Sequence, residues 1–223
     1  MDWYEIEKMY DVLTSPVELT PDLVFHIAQI RDINALVDAM GPDDFGDDER
    51  LPYWSSLWPV SISLAKYLIE NPTFVRSPAI ELGCGLGLVS LALASMGVQV
   101  LATDYEPEAC AFSLHNASLN QQSIQVQQWD WRELSGMSSK FNTIVGADVL
   151  YEPRNAQPVA EAIDALLAPE GTAFIADPNR PHWPHFQDML VDQGMDASVI
   201  HDESHVIIQV KRIIGKNGSS NHL

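Results

Sequence analysis

The chain is short of cysteine and of basic residues, and each shortage excludes something. Only two cysteines occur in 223 residues, Cys84 and Cys110. No disulfide framework is therefore expected, and a reducing, cytoplasmic compartment is. Lysine and arginine total 12 against 31 aspartates and glutamates, a formal net charge of −19. Such a surface repels nucleic acid and anionic membrane, so neither is expected as a partner. A basic partner is favoured, although solubility accounts for much of the charge. No Gly-x-Ser-x-Gly turn and no Ser–His–Asp order is present, which removes that class of hydrolase. The opening Met1-Asp2-Trp3-Tyr4-Glu5 lacks a basic stretch followed by an apolar one, so no signal peptide is expected.

Charge is also missing locally. Leu82 to Thr103 carries none, a length that would allow a membrane span. Gly83, Gly85, Gly87 and Gly97, with Ser90, Ser95 and Gln99, argue instead for turn, buried helix, turn and buried strand. His182 and His185 with Asp177 and Asp188 have a spacing open to a metal ion. A proline-rich loop before a helix is the plainer account, and no metal is expected.

What is present centres on Ala79-Ile80-Glu81-Leu82-Gly83-Cys84-Gly85-Leu86-Gly87-Leu88. A short apolar run ends in a carboxylate, three glycines follow at alternate positions, and an apolar helix pattern begins at once. Strand, glycine-rich turn and helix bring backbone close to a bound nucleotide, where a Cβ would obstruct it. A second acid, Asp104, closes the next apolar run at a distance suited to ribose hydroxyls, with Tyr105 beside it. The spacing G-x-G-x-G is not the dinucleotide G-x-G-x-x-G, and no lysine or arginine lies between Arg76 and Arg132. Two acids without a cation suit a ligand with hydroxyls, an amine and little negative charge. S-adenosylmethionine fits, because its ribose and sulfonium carry no phosphate. A tight turn with no ligand is the alternative.

The first 50 residues read as a separate helical extension. Thr20-Pro21-Asp22 has the form of a helix start, and Leu23, Ile27, Ile30, Ile33 and Leu36 supply an apolar face up to Met40. Gly41 to Glu49 reads as an acidic loop, and Leu51 to Pro59 as an aromatic turn region. Pro59 to Glu70 reads as a helix. Beyond Pro78, strands are predicted at 79–82, 99–103, 123–129, 141–147, 171–176, 197–201 and 205–213. Helices are predicted at 87–96, 106–119, 155–168 and 183–193, with Pro169-Glu170-Gly171 as a break. Alternation of this kind predicts an α/β fold: a seven-stranded, mostly parallel sheet, helices on both faces and an antiparallel C-terminal hairpin. One main domain is expected over 51–215, with a disordered tail over 216–223.

Ligands in open α/β sheets bind at the carboxyl ends of strands. Each proposed strand end carries something polar: Glu81, Asp104, Asp130-Trp131, Asp148 and Asp177. Any one alone is more often a cap or turn former; five together are not readily dismissed. Asp130 and Trp131 could hold an adenine by its amine and its ring, with packing in the core as the alternative for Trp131. Trp58 could face a sulfonium by cation–π attraction or simply lid the core. Asp148-Val149-Leu150-Tyr151 ends the fourth strand, where cofactor and substrate would meet. An acid with an aromatic suits an aliphatic amine, and the Asn/Asp-Pro-Pro-Tyr of planar-nitrogen methylation is absent. Arg180 could form a structural pair with a carboxylate in a plain turn.

Together these residues resemble the seven-β-strand, S-adenosylmethionine-dependent methyltransferases, and within them the protein-lysine branch. The resemblance covers about Pro52 to Pro181, and Leu57-Trp58-Pro59, the glycine loop, Asp104, Asp130-Trp131 and Asp148-x-x-Tyr151 carry it. Asp177-Pro178-Asn179-Arg180-Pro181 resembles members acting on the electron-transfer flavoprotein β-subunit, which have Gly where Asn179 stands. The resemblance implies a Rossmann-like methyltransferase with Asp148 and Tyr151 as catalytic residues. Its cofactor residues would be Trp58, Glu81, Gly83, Cys84, Gly85, Gly87, Asp104, Tyr105, Asp130, Trp131 and, again, Asp148. It implies a protein substrate with an accessible lysine, that β-subunit being one candidate. A small-molecule N- or O-methyltransferase and a non-catalytic binding module on the same fold are the alternatives.

Overall fold

A computed structural model describes residues 2–39, 51–134, 137, 140–201 and 205–213. The acidic stretch 43–49 and the tail 216–223 lie outside the described residues.

The central sheet has seven strands: β3 (Ala79–Leu82), β4 (Val100–Asp104), β5 (Gln125–Gln128), β6 (Phe141–Ala147), β7 (Leu167–Asp177), β8 (Met195–His201) and β9 (Val206–Arg212). Their spatial order is β5-β4-β3-β6-β7-β9-β8. The first five run parallel; β9 pairs antiparallel with both β7 and β8. Helices α3 (Pro59–Glu70), α4 (Leu88–Ser95) and α5 (Pro107–Leu119) contribute to one hydrophobic core. Helices α6 (Ala156–Leu166) and α7 (Trp183–Asp192) contribute to the other. The sheet separates the two, as a doubly wound fold requires. Strands β3 and β6 are neighbours, but the chain leaves them for opposite sides of the sheet. A crevice opens between their carboxyl ends, the usual ligand position in such sheets.

The predicted helical extension over 1–50 is corrected. A short helix α1 (Trp3–Met9) precedes an antiparallel hairpin, β1 (Val12–Thr20) and β2 (Leu23–Ile30), and helix α2 (Ile33–Ala39) follows. Thr20-Pro21-Asp22 turns the hairpin instead of starting a helix. The same three residue types serve both purposes, since Pro and Asp are also turn formers. What decides is the period. Phe25 and Ile27 are buried while Val24 and His26 face out, a repeat of two that packs one face on α5.

Helix α5 also caps the free edge of that hairpin. Asn116 accepts from Ala28 N at 2.8 Å and donates to Ala28 O at 3.1 Å. Asn120 does the same for His26, at 2.7 Å each way. Each primary amide presents a donor and an acceptor, as a neighbouring strand would, and so satisfies edge groups that would otherwise be open. Asn116 donates further to Leu86 O, 2.9 Å away, tying the hairpin to the glycine loop.

The break predicted at Pro169-Glu170-Gly171 is also corrected. Strand β7 begins at Leu167 and runs through it, with a register jump between the Phe141–Leu167 and Thr143–Thr172 pairs. A bulge absorbs the extra residues without ending the strand.

Candidate active site

The glycine loop leaves β3 and enters α4 in one tight turn. Gly83, Gly85 and Gly87 have φ of 65°, 49° and 82°. Two of these positions are also crowded. A Cβ at Gly83 would lie 2.8 Å from Trp131, and one at Gly87 would lie 2.3 Å from Ser113 Oγ. A Cβ at Gly85 would make only ordinary contact, with Trp54 O at 3.5 Å and Trp54 Cα at 3.8 Å, so there the positive φ is what disfavours a side chain. A cavity of about 330 Å³ lies between the loop, the 51–58 segment and the strand ends. Its size falls in the roughly 300–1,000 Å³ range of small-molecule sites.

Two carboxyl groups lie under the loop. Glu81 is 2% exposed and accepts from Ser90 N at 2.9 Å and Ser90 Oγ at 2.5 Å, near the start of α4. Burial raises its pKa to about 8; the Ser90 bonds oppose this and Asp104 adds to it. Asp104 accepts from Gly85 N and Glu106 N, both at 3.0 Å, and burial raises it to about 6. Each oxygen of Asp104 thus bonds one backbone N–H and keeps lone-pair capacity for a hydroxyl. Cys84 is pushed well up, first by burial and then by Asp104 and Glu81. It is a poor thiolate and no nucleophile.

Glu81 makes stability depend on pH. Its acid ionises at 4.5 in the unfolded chain and at about 8 in the folded one. Between those values the folded state binds the extra proton. The contribution is complete below 4.5 and is lost as pH rises through about 8. Glu81→Gln, neutral at every pH, is expected to flatten this fall in stability by up to about 5 kcal/mol. Denaturation of both proteins across that window measures it; parallel curves would mean that Glu81 is already ionised in the folded chain.

On the other side of the crevice, β6 ends at Ala147 and Asp148 adopts φ 60°. Asp148 N donates to Ala176 O at 2.9 Å, which fixes the turn against β7. Its carboxylate accepts from Arg180 Nη1 at 2.5 Å. Arg180 Nη1 also donates to Asp177 at 3.0 Å, and Asp177 accepts from Arg180 N at 2.6 Å. Burial alone would lower the Arg180 pKa; bonding to Asp148 and then Asp177 outweighs it, and the net shift is upward. Tyr151 is held by a hydrogen bond with Tyr105, and burial raises both phenols. Tyr53 packs beside Tyr151, with ring centroids 5.2 Å apart, and Trp58 Nε1 donates to Tyr53 O at 2.7 Å.

Trp58, Glu81, Gly83, Cys84, Gly85, Gly87, Asp104, Tyr105, Trp131, Asp148 and Tyr151 all line this cavity. Asp130 does not. It pairs with Arg132 at 2.7 Å and borders a small adjacent depression with Trp131 and Tyr151. Trp131 is 7% exposed and packs under Gly83. Tyr53 and Arg180 are cavity residues that the sequence-based site set omits. Tyr53 had a signal in the aromatic run before Pro59, and Arg180 in its place just past a strand end.

Strand order and glycine loop define the class: a Rossmann-like α/β methyltransferase fold. Solved structures agree at the level of fold. The chain is similar to a ribosomal protein L11 methylase from Lactobacillus delbrueckii, with TM-score 0.64 and 18% identity over 88% of this chain and 98% of that one. It is similar to the Thermus thermophilus 16S rRNA N2 G1207 methyltransferase, with TM-score 0.68 and 16% identity over 91% and 51%. Residues 49–188, more than half of the chain, match the lysine methyltransferase family, and the chain belongs to it. Among curated relatives, the mouse electron transfer flavoprotein beta subunit lysine methyltransferase is 30% identical over 59% of this chain and 52% of its own length. The zebrafish protein N-lysine methyltransferase METTL21A is 26% identical over 79% and 84%. The chain spans about half the length of the first of these relatives.

Proposed function

We propose that the chain is an S-adenosylmethionine-dependent protein-lysine N-methyltransferase. The observation that carries this reading is convergence. The glycine loop with Asp104, and Asp148 with Tyr151, come from opposite sides of the switch point and line one cavity. The residues fit the cofactor: Gly83, Gly85 and Gly87 line the cavity, and Asp104 retains acceptor capacity for ribose hydroxyls. When bound, S-adenosylmethionine supplies an electrophilic methyl on sulfur.

The chain's own residues have to position the amine. A free lysine amine has a pKa near 10.4, so neutralising it at pH 7 costs about 4.6 kcal/mol. Proximity contributes roughly 7–11 kcal/mol, so positioning outweighs that cost. Asp148 accepts a hydrogen bond from the amine and aims it; Tyr53 and Tyr151 wall its approach and limit water. The proton leaves to solvent. The net charge of −19 supports a basic protein surface as the substrate. The relatives' names make the electron-transfer flavoprotein β-subunit the first candidate. The free thiols Cys84 and Cys110 fit a reducing location such as the cytoplasm.

Calorimetry with S-adenosylmethionine is expected to give about micromolar affinity, and NAD no binding. Asp104→Ala is expected to weaken cofactor binding by about 1.5–3 kcal/mol, the scale of hydrogen bonds to a charged group. Tight NAD binding with none for S-adenosylmethionine would sink the assignment. Methyl incorporation into the purified β-subunit, with a basic protein mixture in parallel, tests the substrate.

A further inference from the structure

Arg180 is the sole basic residue among the described residues lining the cavity, against four carboxyl groups: Glu81, Asp104, Glu106 and Asp148. It is not free to leave. Asp177 is 0% exposed and is bonded by both Arg180 N and Nη1. Withdrawing the guanidinium would strand a buried carboxylate, which is strongly unfavourable. Pro178 and Pro181 bracket the loop and restrict its backbone. Arg180 therefore stays in place when a substrate enters, still paired with Asp148 at 2.5 Å.

This matters because only a neutral amine is a nucleophile. A bare Asp148 would attract the ammonium and hold it charged, in the unreactive form. We propose that Arg180 is a positioning residue that balances Asp148, so that a carboxylate oxygen orients the substrate amine without holding it as the ammonium. The proposal rests on the lysine-methylation reading above. Other titratable groups also face this end of the cavity. From β3 and its loop come Glu81 and Cys84, and from the end of β4 Asp104, Tyr105 and Glu106. Tyr53 comes from the aromatic wall and Tyr151 from beyond β6. His182, on the Arg180 loop, is turned to Leu150 O at 2.5 Å, and Glu152 pairs with Arg154. None of these adds a permanent cation beside Asp148.

The test uses the whole chain and two substitutions. Arg180→Gln is made alone and together with Asp177→Asn, the pair guarding against misfolding from a stranded Asp177. The first readout needs no methyl acceptor. Sinefungin carries an amine where S-adenosylmethionine carries its methyl sulfonium, and S-adenosylhomocysteine is neutral there. Removing Arg180 is expected to raise sinefungin affinity relative to S-adenosylhomocysteine about tenfold, one pKa unit's worth of added attraction to the cation. The second readout is the pH–rate profile on the β-subunit. Its rising limb is expected to move up by about one unit in the variants, with activity about tenfold lower near neutrality and recovering at high pH. Arg180→Lys, which keeps the charge, is expected to leave that limb in place. An unchanged ligand ratio, or a loss of activity by the same factor at every pH, overturns the proposal. Failure of the wild-type chain to bind any of these ligands overturns instead the cofactor reading. Binding without methylation of the β-subunit overturns that substrate alone, while the ligand ratio still decides the role of Arg180.

Discussion

Asp148→Asn is expected to reduce methyl transfer to lysine by about 10²-fold or more while leaving cofactor affinity within a few-fold. The backbone tolerates the change. Asp148 sits at φ 60°, a region that asparagine accepts readily, and its N–H bond to Ala176 O is unaffected. The chemistry does not tolerate it. A carboxylate has two acceptor oxygens, one for Arg180 and one for the amine. A carboxamide has one. Once Arg180 takes that oxygen, the NH₂ group is left facing the incoming amine, donor against donor. Methyl incorporation into the purified β-subunit, with calorimetry of the same variant, measures both effects. Full activity in the variant would remove Asp148 from catalysis. Loss of cofactor binding in parallel with activity would move it to the cofactor half of the site.

Gly87→Ala is expected to lower stability by about 2–4 kcal/mol, from a left-handed residue and an overpacked contact together. Gly87 has φ 82°, and its added Cβ would lie 3.0 Å from Ser113 Cβ and 3.1 Å from Ser113 Cα. Turning the Ser113 hydroxyl away relieves only the 2.3 Å contact with Oγ; the backbone of α5 must move for the rest. Gly87 is also the N-cap of α4, and its O accepts from Leu91 N at 2.9 Å. The strain therefore falls on the loop that would carry the cofactor, and its affinity is expected to fall in the same variant. Chemical denaturation and calorimetry check the two parts. Wild-type stability would mean that the loop reshapes cheaply.

Much of the fold was legible because local pattern and tertiary environment agree. Strands 79–82 and 141–147 and helix 59–70 were read with the bounds they have in the structure. Each is a short apolar run or amphipathic pattern closed by glycine, proline or an acid. The candidate site was legible for a related reason. An acid at a strand's carboxyl end lies on the ligand side of a parallel sheet, so Glu81, Asp104 and Asp148 could be placed on one side before the sheet order was known. Asp130 follows the same rule in sequence, but its pairing with Arg132 sets it beside the cavity.

The hairpin over 12–30 was less legible, because Thr20-Pro21-Asp22 is chemically suited to a helix start and to a turn alike. Packing on α5, and the bonds from Asn116 and Asn120 some ninety residues away, choose the turn. The run through Pro169 was hidden similarly, since only the neighbouring strand shows that a bulge can carry β7 past it.

By itself the sequence determined the α/β alternation, the glycine loop and the acids at or just past the ends of β3 to β7. These follow from local chemistry: periodicity, backbone freedom at glycine and the polarity of strand ends. Tertiary structure alone decided the N-terminal hairpin and the pairing of Arg180 with Asp148, whereas its pair with Asp177, three residues away, lies within one turn. The Asp148 pair joins residues 32 positions apart, and its geometry depends on β6 and β7 lying side by side. Between residues so far apart, sequence spacing carries no information on which charge meets which; the register of adjacent strands does.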